Sequence, residues 1–212
     1  MEDVLISPQH LSVIRDWLKS GSINIFGFPF AGKDTHGGTL AKLFDAPVIG
    51  GGDILRNSVI PEDLKKSLDA GNLFPQDEYL RIVTPYLSKP EFEGRPLILS
   101  SVGRWIGEEQ GVLSATEASN HPTKAVIYLH LNESIVRQRW AKSQASGDRG
   151  DRADDAEHVL ENRINEFNTK TLPVIEVYRD KGLLIEVNSD AAKHEVIETI
   201  LARLYMIAST EQ

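Results

Sequence analysis

Residues 23–43, INIFGFPFAGKDTHGGTLAKL, constrain the fold of this chain more than any other stretch. Ile23, Ile25 and Phe26 form the short apolar run of a buried strand. Gly27-Phe28-Pro29-Phe30-Ala31-Gly32-Lys33 follows directly, and a helical pattern then begins. Strand, glycine-bounded loop, lysine and helix start together make a cradle for phosphate. The chemistry needs those residue types. Loop and helix-terminal N–H groups point at phosphate oxygens, and a side chain at Gly32 would block close approach. Lys33 adds a point charge for the terminal phosphates. A glycine-rich turn with no ligand is the alternative, and the lysine between the right flanks speaks against it. One position departs from the pattern. The Ser or Thr expected after the lysine is Asp34, with Thr35 next.

The 212 residues suit one α/β domain with small insertions, at roughly 150 residues per domain. No window approaches the roughly 18 uninterrupted apolar residues of a membrane span, so no membrane partner is expected. The start, MEDVLISPQH, is acidic and lacks the basic and apolar regions of a secretory signal. With zero cysteines, disulfides, cysteinyl zinc sites and thiol nucleophiles are excluded. A cytoplasmic location follows as the expectation. A net charge of −8 argues against nonspecific nucleic-acid binding, which needs a basic face. A chain that holds polyphosphate must then concentrate positive charge locally. Lys33, Arg56, Arg104, Arg137, Arg139, Arg149, Arg152 and Arg163 are the candidates, with Arg137 and Arg149 read as solvated.

Taken in order, residues 8–20 carry Leu11, Ile14, Trp17 and Leu18 at helical spacing, an amphipathic packing helix. A short strand at 46–49 leads into Gly50-Gly51-Gly52-Asp53-Ile54-Leu55-Arg56, where Asp53 can cap a helix carrying Arg56. Residues 61–70 and 77–87 read as helices. Residues 96–101 read as a third strand, followed by Arg104 and a polar stretch at 107–111. Residues 125–131 form the most continuous apolar run, a central parallel strand. Asn132 caps the next helix. The polar segment 143–155 reads as a short flap. A long helix at 156–178, interrupted near Pro173, precedes a fifth strand at 183–187 and a last helix at 192–206. Strands alternating with helices argue for a doubly wound parallel sheet, which binds ligands outside the carboxyl ends of its strands. The glycine loops, residues 100–104 and the flap converge there.

These motifs resemble, in order, those of the adenylate kinase family of P-loop nucleoside monophosphate kinases. Gly27-Phe28-Pro29-Phe30-Ala31-Gly32-Lys33-Asp34-Thr35-His36 follows the family's G-x-P-G-x-G-K-G-T-Q with changes. Gly52-Asp53-Ile54-Leu55-Arg56 is similar to its T-G-D-M-L-R, and Asp69-Ala70-Gly71-Asn72-Leu73-Phe74-Pro75 to its A-G-x-L-V-P. Gly103-Arg104 stands where F-P-R ends, Arg152-Ala153-Asp154-Asp155 resembles R-x-D-D, and Arg163 falls in register with a further arginine. The resemblance runs from residue 23 to about 187. It implies a helical extension at 1–21 and a kinase domain at 22–212. Within that domain it implies a monophosphate-binding insertion near 50–80 and a short lid near 140–155, without zinc.

The resemblance further implies transfer of the terminal phosphoryl group of ATP, with Mg²⁺, to a nucleoside monophosphate, AMP first. Gly27, Ala31, Gly32, Lys33, Asp34 and Thr35 would hold the ATP phosphates. Gly52, Arg56, Phe74, Arg104 and Glu108 would hold the acceptor. Lys33, Arg104, Arg139, Arg152 and Arg163 would be catalytic, and Arg152, Asp154 and Asp155 would belong to the lid. A monomer is expected. Four departures matter. Phe30 replaces a loop glycine, so the loop path differs or a ring shields the phosphates. Ser100 stands where the family has an aspartate that organises Mg²⁺ through water, and Asp34 is expected to take over that task. Gly51 replaces a threonine, and Glu108 replaces the glutamine that reads adenine. A carboxylate only accepts, which suits guanine or cytosine better. GMP, CMP, UMP or a deoxynucleotide therefore stands as the alternative acceptor, and a regulatory nucleotide-binding protein without turnover as the reading from another class.

Overall fold

A computed structural model describes residues 6–58, 76–146 and 157–211. Among these residues there are five strands: β1 (Ser22–Gly27), β2 (Val48–Gly50), β3 (Leu97–Ser100), β4 (Thr123–His130) and β5 (Leu184–Asn188). They form one sheet in the order β2-β3-β1-β4-β5, and every neighbouring pair is parallel. The expected α/β, doubly wound architecture is therefore observed. β1 is buried along its whole length, because it lies at the centre with layers on both faces.

The helices are α1 (Pro8–Leu18), α2 (Lys33–Phe44), α3 (Gly51–Arg56), α4 (Gln76–Leu87), α5 (Glu108–Ala118), α6 (Glu133–Ser146), α7 (Glu157–Glu166), α8 (Leu172–Asp180) and α9 (Lys193–Thr210). Side-chain alternation in β3 divides the core. Ile98 joins the larger cluster, with β1, β4, α2 and α9, while Leu97 and Leu99 join the smaller one beneath α4 and α5.

The helix before β1 is capped reciprocally. Ser7 Oγ accepts from the His10 N–H at 3.3 Å, and His10 Nδ1 accepts from the Ser7 N–H at 3.3 Å. Its buried face is Ile14, Trp17 and Leu18, and it packs beside α9. Arg15 donates twice to the Leu43 carbonyl, at 3.2 and 2.8 Å, and so meets the last turn of α2.

The polar stretch at 107–111 forms the cap and first turn of the helix α5. That helix buries Gly111, Ala115 and Thr116 beside Val112, a face of small and polar residues with weak apolar periodicity. Of the segment expected as a flap, residues 143–146 are the last turn of α6, and residues 147–156 lie outside the described residues. The expected interruption of the long helix is present as a π-helical turn, Phe167–Thr171, just ahead of Pro173. A proline there has no N–H for the carbonyl four residues back, and its ring crowds that turn open. The helix expected at 61–70 lies outside the described residues.

Candidate active site

Gly27 ends β1 where the chain must pass close to β4. A Cβ there would lie 2.9 Å from the Leu129 carbonyl oxygen and 3.1 Å from the Ala31 Cβ. Ala31 is itself fully buried. Gly32 adopts φ +95° as the residue before α2, with the His36 ring directly behind it. Between them Phe30 takes φ +63°, a left-handed conformation that costs a side-chain-bearing residue about 1–2 kcal/mol. Phe30 thus keeps the backbone conformation that a glycine favours, and its half-buried ring packs against the main core. Arg139 holds the same residue from outside, donating to the Phe30 carbonyl at 3.2 Å and to the Ser189 carbonyl at 2.6 Å. The guanidinium expected over the transferring group is therefore engaged as a strut between the loop and the segment after β5.

Lys33 opens α2, and its ammonium donates to the carbonyls of Gly27 and Phe28 at 2.7 and 2.8 Å. The Phe28 ring lies 4.3 Å from that of Phe167, so the π-helical turn backs the loop. Gly32, the residue before α2, has no side chain to cap it, and a helix start of this kind can receive an anion. Asp34 and Thr35 are exposed in the first turn. His36 is buried, and burial first, then Arg139 and Lys193, holds its pKa below the ordinary value.

The neighbouring β3 ends in a turn held by a polar residue inside the sheet. Asn24, fully buried in β1, donates to the Val102 carbonyl at 2.7 Å and accepts from the Val102 N–H at 3.3 Å. Ser101 takes φ +53° and donates its N–H to Ile25 at 3.0 Å. A Cβ at Gly51 would lie 3.1 Å from the Ser101 carbonyl oxygen, a tight approach of the two loops. Asp53 caps α3 as expected, from its third position, by accepting from the Gly50 N–H at 2.9 Å. Gly52 and Arg56 lie on α3, with the Arg56 side chain outside the described residues.

Arg104 is exposed on the loop that follows. Glu108, buried at the start of α5, accepts through Oε2 from the N–H groups of Arg104 at 2.9 Å and Trp105 at 3.2 Å. Burial pushes its pKa up, against those two donors and the Arg104 charge. Glu109 accepts from the Gly107 N–H at 2.7 Å. The Trp105 ring lies beneath the Lys170 ammonium at 4.1 Å, a cation–π contact from the π-helical turn.

Arg163 occupies the last turn of α7 and is half-buried. Arg137 is not simply solvated. It pairs with Glu133 at 3.4 Å and with Glu161, joining α6 to α7. Phe74, Arg149, Arg152, Asp154 and Asp155 lie outside the described residues. Among the described residues no group of three or more acids and histidines could hold a metal ion by itself. No described helix is long and apolar enough to cross a membrane. The structure also brings forward Asn24, Trp105, Lys170 and Ser189, which motif reading passed over. Only Asn24 left a signal, as a polar residue between Ile23 and Ile25 in an apolar run.

Comparison with known proteins fits this geometry. The family model described as "Adenylate kinase" matches residues 25–183. A protein named "Adenylate kinase" from Leptospira biflexa is 29% identical over 181 residues, covering 82% of this chain and 95% of its own. One of that name from Clavibacter michiganensis is 30% identical over 185 residues, covering 85% and 90%, and one from Kocuria rhizophila is 28% identical over 186 residues, covering 85% and 96%. A phosphate loop alone is shared by many unrelated nucleotide-binding chains, but a match of this extent is not. The chain belongs to the adenylate kinase family, as a nucleoside monophosphate kinase that uses ATP.

Proposed function

We propose that this protein transfers the terminal phosphoryl group of ATP to AMP by direct in-line displacement. An acceptor phosphate oxygen attacks the γ-phosphorus, the bond from phosphorus to the β–γ bridging oxygen breaks, and two nucleoside diphosphates leave. No enzyme-bound phosphate forms. The observation that carries the reading is the pairing of an uncapped helix start and Lys33 at the end of β1 with the Arg104 loop at the end of the adjacent β3. One is a site for a polyphosphate, the other an exposed arginine on a loop anchored through its backbone.

Gly27, Ala31, Gly32 and Lys33 cradle the donor phosphates, with Thr35 in the first turn. Arg56 and Arg104 grip the acceptor phosphate through forked hydrogen bonds that an ammonium cannot match. Arg163 and Arg152 meet the charge spread over the transferred oxygens, and Asp154 and Asp155 hold the lid. Arg139 serves the transfer by bracing the loop through Phe30. Gly52 and Phe74 complete the acceptor side. Mg²⁺ takes one or two carboxylates and otherwise phosphate and water oxygens, so an exposed Asp34 beside Lys33 fits it. Bound with the nucleotide, the ion neutralises the phosphate charge. Asp34 takes the role that Ser100 lacks the charge to perform; full Mg²⁺-dependent activity in Asp34→Gly would contradict this.

The test is a panel of AMP, GMP, CMP, UMP and their deoxy forms with ATP and Mg²⁺, scored for diphosphate. AMP is expected to turn over fastest, and Lys33→Ala to lower kcat by about 10²–10³-fold, as loss of a positioned charge does. A different preferred acceptor corrects the substrate. No diphosphate from any acceptor leaves a nucleotide-binding regulator instead.

A further inference from the structure

We propose that Glu108 is the positioning residue of Arg104, and that it does not read the acceptor base. This rests on the proposed role of Arg104 at the acceptor phosphate. Glu108 is only 9% exposed, and a single carboxylate oxygen accepts from two consecutive backbone N–H groups, those of Arg104 and Trp105. These are charge-assisted bonds, about twice as strong as neutral ones. They fix the peptide from which the Arg104 side chain springs.

The rest of the loop is held independently. Gly107 turns the chain at φ +95° with its N–H on Glu109, and Trp105 is covered by Lys170, which also pairs with Glu166 at 3.2 Å. The loop is thus closed at both ends and clamped from above. A long arginine side chain gains precision only if its backbone does not move, and Glu108 supplies that fixity. The phosphate is common to every nucleoside monophosphate. Loss of the Glu108 bonds therefore weakens all acceptors alike, whereas loss of a base contact would change their order.

The experiment measures Kd for AMP, GMP, CMP and UMP by calorimetry on the full chain, together with KM for ATP. Glu108→Gln keeps an oxygen acceptor in place, and all four affinities stay within about twofold of wild type in the same order. Glu108→Ala leaves two N–H groups without that acceptor, and all four affinities fall about 10-fold while KM for ATP holds. Glu108→Asp, one methylene short, falls between them and serves if the alanine variant does not fold. A reordering of the bases in Glu108→Gln overturns the proposal, as does wild-type affinity in both shortened variants. A wild-type chain that binds monophosphates without forming diphosphate overturns the transfer reading alone; one that binds none overturns both.

Discussion

The two loops that meet at the carboxyl ends of β1 and β3 are rigid for different reasons. The donor loop is held by backbone shape. Gly27 has no room for a Cβ, Phe30 and Gly32 have positive φ, and Lys33 and Arg139 tie down carbonyls of Gly27, Phe28 and Phe30. The acceptor loop is held by side chains that replace backbone partners: Asn24 on Val102, Glu108 on Arg104 and Trp105, and Glu109 on Gly107. On the proposed reading the first presents its backbone to phosphate, and it is shaped from behind. The second presents a side chain, so its N–H groups can be used for anchoring. A steric change should break the first, and a polar deletion should loosen the second.

Three measurements test that contrast. Gly27→Val drives two methyl groups toward the Leu129 carbonyl and Ala31, and should cost about 3 kcal/mol by urea unfolding while abolishing ATP binding. An unchanged midpoint would mean that the loop yields. Asn24→Leu leaves both polar groups of Val102 unpaired inside the fold, at a cost of about 2 kcal/mol, and should raise KM for the monophosphate more than KM for ATP. Equal increases would remove the distinction between the loops. The smallest effect is that of His36, whose folded pKa lies below its unfolded value of about 6.5. The unfolded chain therefore binds the proton more readily, and stability is lost as pH falls through about 6.5. Arg139 and Lys193 add to the penalty on the charged ring. His36→Gln should flatten the decline between pH 7 and 5; an identical profile would place the titration elsewhere.

Much of this was legible in the chain. Apolar runs mark β1, β3, β4 and β5, those of β1 and β3 flanked by glycines, and Lys33 behind its glycine-bounded loop marks the proposed donor site. The substitution at Phe30 was visible, but not that the residue would accept a left-handed conformation with its ring against the core. Helix α5 was hidden because small residues make its buried face, so periodicity carries little signal. The spacing of four between Arg104 and Glu108 was apparent. Sequence alone does not say whether such a carboxylate turns toward a bound base or back onto its own loop, since both are hydrogen-bond acceptor roles. Lys170 over Trp105 joins residues far apart in the chain, and no local pattern marks either one.

The strand order also sets a schedule for folding. Among the described residues β1 pairs only with β3 and β4, so its first partner strand comes roughly 70 residues later. At the roughly 5–20 residues per second of synthesis, that apolar segment waits about 4–14 s for its first partner strand. Long-range pairing of this kind slows folding and exposes a sticky edge meanwhile. The strand that carries the proposed donor loop is among the earliest parts made, yet both its edges are paired only once β4 is complete.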